Sequence, residues 1–343
     1  MHMADALISP AVGGTMWAAT AGLIAYSSKK VKEAMDDRKV PLMGVLGAFI
    51  FAAQMINFSI PATGSSGHLG GGMILAILLG PWSAFLVMAS VLTVQALFFA
   101  DGGLLALGCN IFNLGFFSCF VAYPLIYKKI VGDNPTQGKI LTGSIIAAIA
   151  GLQLGAFGVV LETVFSGISD LPFRTFVFLM QPIHLAIGVV EGLVTAAVVT
   201  FVWKARPEII DAAIFSKPIG QIDIKKVLAG LLIAAAISGG TLSWFASANP
   251  DGLEWAMFRT SGKEELESHE KVHASLAGVQ EKTAILPDYG FKKTEPEAGS
   301  GEDLKPSWPA VDAGTSAAGL AGGAMTLLMA VLIGWALRKR SAK

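Results

Sequence analysis

Long apolar runs alternate with short polar breaks along this chain. A helix needs about 20 mostly apolar residues to cross a bilayer, and the pattern predicts about nine such spans. They fall near residues 11–27, 41–60, 68–80, 83–99, 105–127, 140–162, 178–203, 226–247 and 315–337. The third is short and ends at Gly80-Pro81-Trp82, a turn signal that predicts a hairpin with the fourth. The expected class is an all-α polytopic membrane protein. A seven-span core over 1–205 precedes a cytoplasmic linker at 206–225. A two-span region, 226–343, encloses a polar segment at 248–314.

Charge fixes the expected orientation. Lys29, Lys30, Lys32, Arg38 and Lys39 follow the first span, and Lys128 and Lys129 end the fifth. Lys204, Arg206, Lys217, Lys225 and Lys226 separate the seventh from the eighth, and Arg338, Lys339 and Arg340 follow the last. Nine spans put all of these on one side, the cytoplasm by the positive-inside rule. The N-terminus then lies outside, the C-terminus inside, and the chain in the cytoplasmic (inner) membrane. Segment 248–314 holds thirteen acidic and seven basic residues, and reads as a partly disordered outer loop.

Of the 343 residues, 53% are hydrophobic and 15% charged, with net charge zero. That composition excludes an ordinary soluble domain and gives no footprint for nucleic acid. Cys109 and Cys119 share one span about 15 Å apart, too far for a disulfide. They read as packing residues.

Candidate chemistry sits at the start of the chain. No charged leader precedes the first apolar run, so Met1 is expected to keep a free amine. That amine and the His2 amide nitrogen close a five-membered chelate ring. The amide and His2 Nδ1 close a six-membered one. His68, in the turn PATGSSGHLGGG, is the other histidine expected at the outer face and supplies a fourth nitrogen. A planar four-nitrogen set suits Ni(II) or Cu(II).

These residues carry a family resemblance. MHMADALISP, NFSIPATGSSGHLGGGMILAILLGPWSAFLVM and QALFFADGGLLALGCNIFNLG resemble the substrate-capture subunit of energy-coupling-factor (ECF) nickel/cobalt transporters over most of residues 1–205. The resemblance implies an N-terminus tucked into the bundle and a metal held by Met1, His2 and His68. It also implies Ni(II) or Co(II) as the transported ligand, with nickel favoured. The family more often reads His-Ile-Pro-Asp-Gly after Met, and Met3-Ala4-Asp5-Ala6 departs from that. PDGLEWA at 250–256 resembles the two-span companion subunit of the same transporters, so the chain resembles a fusion of the two.

Asn57, Asp101, Asn110 and Asn113 lie near outer helix ends, as candidates to orient a metal-bound imidazole or to cap helices. His184 and Glu191, seven apart on one helical face, read as a polar pair inside the membrane, structural rather than a relay on the metal path.

The chain carries no phosphate-binding loop. GDNPTQGKI at 132–140 has one residue too many and Ile140 where Ser or Thr belongs. The chain is therefore expected to be a transport component rather than an enzyme, with ATP hydrolysis in partner subunits. The resemblance implies a transmembrane coupling subunit and cytoplasmic ATPases as partners beside membrane lipid. Rows of small residues, Ala18/Gly22 and Ala21/Ala25, suit helix docking or ordinary packing. Two alternatives stand beside this reading. A secondary divalent-metal transporter is expected to hold more carboxylates at membrane depth than Glu162 and Glu191. A membrane zinc protease would use HEKVH at 269–273, with Glu270 as base, but no later histidine offers a third ligand. His269 and His273 are expected to be solvated, or auxiliary metal scavengers.

Overall fold

A computed structural model describes residues 2–34, 38–169, 171–215, 217–263, 266, 271–292 and 308–338. Among the described residues, five helices are long and apolar enough to cross a membrane: Pro81–Phe98 (α4), Leu107–Val131 (α5), Gln137–Ser166 (α6), Phe173–Ala205 (α7) and Ala313–Leu337 (α12). The others in chain order are Pro10–Ala34 (α1), Lys39–Gln54 (α2), Gly72–Leu79 (α3), Pro207–Ile214 (α8), Lys225–Gly240 (α9), Gly252–Ser261 (α10) and Lys271–Thr283 (α11). Large apolar side chains point outward from the long helices, among them Phe165, Phe178, Leu332 and Trp335. Water would not tolerate such a surface; lipid does. The protein is a multi-pass, all-α membrane protein.

Local sequence accounts for the breaks. Gly80 takes φ 76° after α3, and Pro81 opens α4, where its missing N–H costs nothing. The two helices pack as a hairpin, as the Gly-Pro signal predicts. Thr136 caps α6 by accepting from the Lys139 N–H, and Gly167 ends that helix at φ 63°. Within α5 the stretch Phe112–Tyr127 has a wide π-type winding and contains Pro124. Cys109 and Cys119 are buried free thiols, in keeping with a packing role.

The C-terminal part is built onto the core. Helices α9 and α12 both pack on α2. A Cβ on Gly322 would collide with the ring of Phe51, so glycine is what lets α12 lie this close.

A two-stranded antiparallel hairpin, Phe58–Ile60 (β1) with Ser65–Gly67 (β2), sits at the end of the bundle where α2 finishes. The 245–255 stretch meets it there. Ser247 N–H donates to Asn57 O at 2.8 Å, and Ser66 N–H to Pro250 O at 2.8 Å. At the opposite end, Lys128 Nζ donates to Ile214 O at 2.8 Å and Arg206 Nε to Asp223 O at 2.7 Å.

The described part of 248–314 is more ordered than an acidic loop predicts. Leu253, Ala256 and Met257 form an i, i+3, i+4 apolar stripe on α10, and all three are buried. Asp251 and Glu254 form a capping box at the start of that helix.

Candidate metal site

The first residues fold back into the bundle. Met3, Leu7 and Ile8 are fully or almost fully buried. Burial strips their peptide groups of water, so each needs a protein partner. Met3 N–H donates to Asn110 Oδ1 at 2.8 Å, and Asn110 Nδ2 donates to Met3 O at 3.2 Å. Gly103 N–H adds a third bond to Met3 O at 2.9 Å. Ala106 N–H donates to Asp5 Oδ1 at 2.9 Å. His273, on α11, donates from Nε2 to Ile8 O at 2.8 Å.

This arm delivers His2 to His68. The two imidazoles stack with centroids 5.0 Å apart and planes 11° from parallel. Met1 lies outside the described residues.

His68 leaves β2 on a turn that other side chains hold. The Glu191 carboxylate accepts from Gly70 N–H at 2.7 Å and Gly71 N–H at 3.2 Å. Gln54 Nε2 donates to Gly70 O at 2.9 Å, and Gln95 Nε2 to Gln54 Oε1 at 2.9 Å. Gly71 has φ 78°, and a Cβ there would lie 2.7 Å from Ile50, so the turn requires glycine. His68 Nδ1 lies 3.0 Å from Leu69 O. A carbonyl only accepts, so Nδ1 carries the proton and Nε2 the lone pair.

On the other side of the stack, His2 Nδ1 lies 3.3 Å from Asp101 Oδ1. Asp101 Oδ2 accepts from the Tyr289 hydroxyl at 2.5 Å. His2 Nε2 and Gln95 Oε1 are both buried. Burial pushes both imidazoles down to about 3, while the Asp251 carboxylate pulls the other way on each. Burial raises the Asp101 carboxyl, against the Tyr289 hydrogen bond. Both histidines are therefore neutral near pH 7, the protonation state that ligates metal.

Among the described residues, no three His, Cys, Asp or Glu side chains converge as a metal cage. What converges is two stacked imidazoles beside a buried backbone.

The other sequence candidates divide. Asp101 touches His2, and Asn110 holds the arm. Asn57 lines the chamber outside the histidines, a space of about 890 Å³. Asn113 belongs elsewhere, since its Nδ2 donates to Glu162 Oε2 at 2.7 Å. His184 and Glu191 are both buried, and each serves a different part of the site. Glu191 holds the His68 turn. His184 has Nδ1 2.8 Å from Met180 O and lines a small cavity with His68, Asp251 and Gly252.

His273 is buried against the arm rather than solvated; its partner on the N-terminal arm is 265 residues away in sequence. His269 and Glu270 lie outside the described residues.

Sequence reasoning missed Asp251, Tyr289, Gln54 and Gln95. The D-x-x-E spacing announces Asp251 as a helix cap, but nothing local announces that it borders the His68 cavity.

Two family models match. Cobalt uptake substrate-specific transmembrane region covers residues 2–209, and PDGLE domain covers residues 225–339. A protein of Archaeoglobus fulgidus, provisionally named fused nickel transport protein NikMN, is 32% identical over 310 residues, covering 88% of this chain and 92% of its own. Cobalt transport protein CbiM of Sorangium cellulosum is 28% identical over 215 residues, 62% of this chain and 95% of its own. The crystal structure of a truncated transition metal transporter superposes with TM-score 0.53 at 31% identity, covering 60% of this chain and 99% of its own.

Proposed function

Since the chain belongs to the cobalt uptake substrate-specific transmembrane family, with a PDGLE domain fused behind it, we propose that it captures Ni(II), or less favourably Co(II), for an ECF-type importer. The cation is held by the Met1 amine, the His2 amide nitrogen and imidazole, and His68 Nε2. The observation that carries this reading is the parallel stack of His2 on His68 at the end of a buried arm. Two neutral imidazoles lie within ring-stacking distance of each other there. His2 Nδ1 faces Asp101. Closing the six-membered chelate ring exchanges that carboxylate for the ion. Amide deprotonation supplies one negative charge and releases a proton.

Nine crossings, with the N-terminus outside, are supported by how the segments alternate between ends. Segment 68–79 starts beside the hairpin and finishes near Ala213, at the linker end. Eight helical residues span about 12 Å, and the turn before them starts the segment at the hairpin end. The histidines then open to the exterior of the cytoplasmic membrane.

Energy comes from partners: a transmembrane coupling subunit and cytoplasmic ATPases. Ala18, Ala21, Gly22 and Ala25 on α1 are all exposed, so packing within the chain does not consume this small-residue face. We assign it to the coupling subunit.

The test is nickel titration of purified protein. His68→Ala, or one residue added before Met1, is expected to abolish tight binding in a folded protein. Tight binding by the extended chain would refute the clamp. Uptake that persists with ATPase-dead partners would favour a secondary transporter.

A further inference from the structure

We infer that the fused C-terminal module completes the capture site, with Asp251 as the carboxylate that balances the bound cation's charge. This rests on the metal reading above and goes beyond it, because it moves part of the binding energy out of the family core.

The position of Asp251 is fixed by backbone. Ser66 accommodates the chain before it: Ser66 N–H donates to Pro250 O, and Ser66 Oγ donates to Asn249 O at 2.8 Å. Ser59 Oγ and Ser247 Oγ lie 2.7 Å apart. Residues 247–251 therefore run alongside the hairpin, two positions from His68. Gly252 packs under Ile183, where a Cβ would approach to 2.6 Å and would lie 3.5 Å from His184 Cε1. Asp251 consequently lines both spaces around the histidines: the small cavity with His68 and His184, and the larger chamber with His2 and His68.

Charge gives it a task. A dication bound to one deprotonated amide and otherwise neutral nitrogens keeps a net charge of +1. Burying that charge unpaired is costly. Among the described residues, neither Lys nor Arg lines either space, whereas Asp5, Asp101, Asp251, Glu254, Asp288 and Asp312 line the larger one. His2 itself lines that chamber, so a proposed metal ligand and the acidic wall share one space. Asp101 lies against His2 Nδ1 and the Tyr289 hydroxyl in the larger chamber, whereas Asp251 is, among the described residues, the acid that lines both spaces. Asp251 has its Oδ1 bonded by Leu253 N–H at 2.8 Å and Glu254 N–H at 2.9 Å. Those two donors hold it as a carboxylate and fix its direction.

The experiment uses full-length protein and NiCl2, titrated against a competing chelator. Asp251→Asn keeps the helix cap, because Asn caps as well as Asp, and removes the charge. It is expected to weaken nickel binding at least tenfold while the metal-free melting temperature stays unchanged. Asp251→Glu, which keeps the charge, is expected to bind within about threefold of wild type. Asn at wild-type affinity, or Glu as weak as Asn, would overturn the inference. His68→Ala run alongside separates the two proposals. If it abolishes binding while Asp251→Asn does not matter, only this inference fails. If His68→Ala binds normally, the capture reading itself fails.

Discussion

Docking of the N-terminal arm turns on one side chain. Asn110→Ala removes two of the three hydrogen bonds to Met3 N–H and O. Each contributes about 0.5–1.5 kcal/mol net, and a buried unsatisfied N–H costs about 1–3 kcal/mol more. Met3 O keeps its bond from Gly103, so only the N–H is orphaned. The loss is about 3 kcal/mol, nearly all of it in the docked arm. Apparent affinity scales with the fraction of chains whose binding geometry is formed. If docking becomes the limiting equilibrium, nickel affinity falls by up to about 100-fold, at about 1.4 kcal/mol per tenfold. Asn110→Asp keeps the acceptor for Met3 N–H and should fall between the two. The assay is competitive nickel titration, with hydrogen exchange at the Met3 amide as an independent report of docking. Faster exchange at Met3 with unchanged nickel affinity would refute the reasoning, because the arm would then undock without releasing metal.

Three further expectations concern the same site. Glu191→Gln leaves a single amide oxygen for the Gly70 and Gly71 N–H groups; loss of about 1–2 kcal/mol of turn stability should weaken nickel binding roughly tenfold, and unchanged binding would mean the turn is held by its glycines alone. Gly71→Ala forces a Cβ onto Ile50 at positive φ and should cost about 2–4 kcal/mol from backbone strain and overpacking, read as a lower melting temperature. Since burial pushes both imidazoles from 6.5 to about 3, the unfolded chain binds more protons in that window. The histidines' contribution to metal-free stability is therefore complete above about pH 6.5 and lost as pH falls towards 3. Melting curves of wild type against His2→Gln/His68→Gln isolate this part of the pH slope, and parallel slopes would contradict it.

Much of this was written locally in the chain. The Gly80-Pro81 break, the long apolar helices and the Asp251–Glu254 capping box need only neighbouring residues, so their physics is visible in sequence. His2 stood out because its amide and imidazole close chelate rings with the terminal amine, and His68 because it is the other histidine expected at the outer face. What stayed hidden was long-range. Asn110 and Asn113 are three residues apart, yet one faces the arm and the other Glu162. The wide winding that begins at Phe112 alters the helical phase between them. Tyr289 reaches Asp101 across 188 positions, and Asp251 reaches the His68 turn across a comparable distance. His273 was misread for a related reason: a polar surrounding sequence hides a burial created entirely by another part of the fold.

Arg206 Nε closes on Asp223 O and staples the base of the linker, with a consequence for stoichiometry. Two separate polypeptides would assemble only as far as their concentrations allow. One polypeptide with a stapled tether holds its second half at an effective concentration in the millimolar range. Assembly then no longer depends on how much of each half the cell makes, and every copy synthesised carries its own second half.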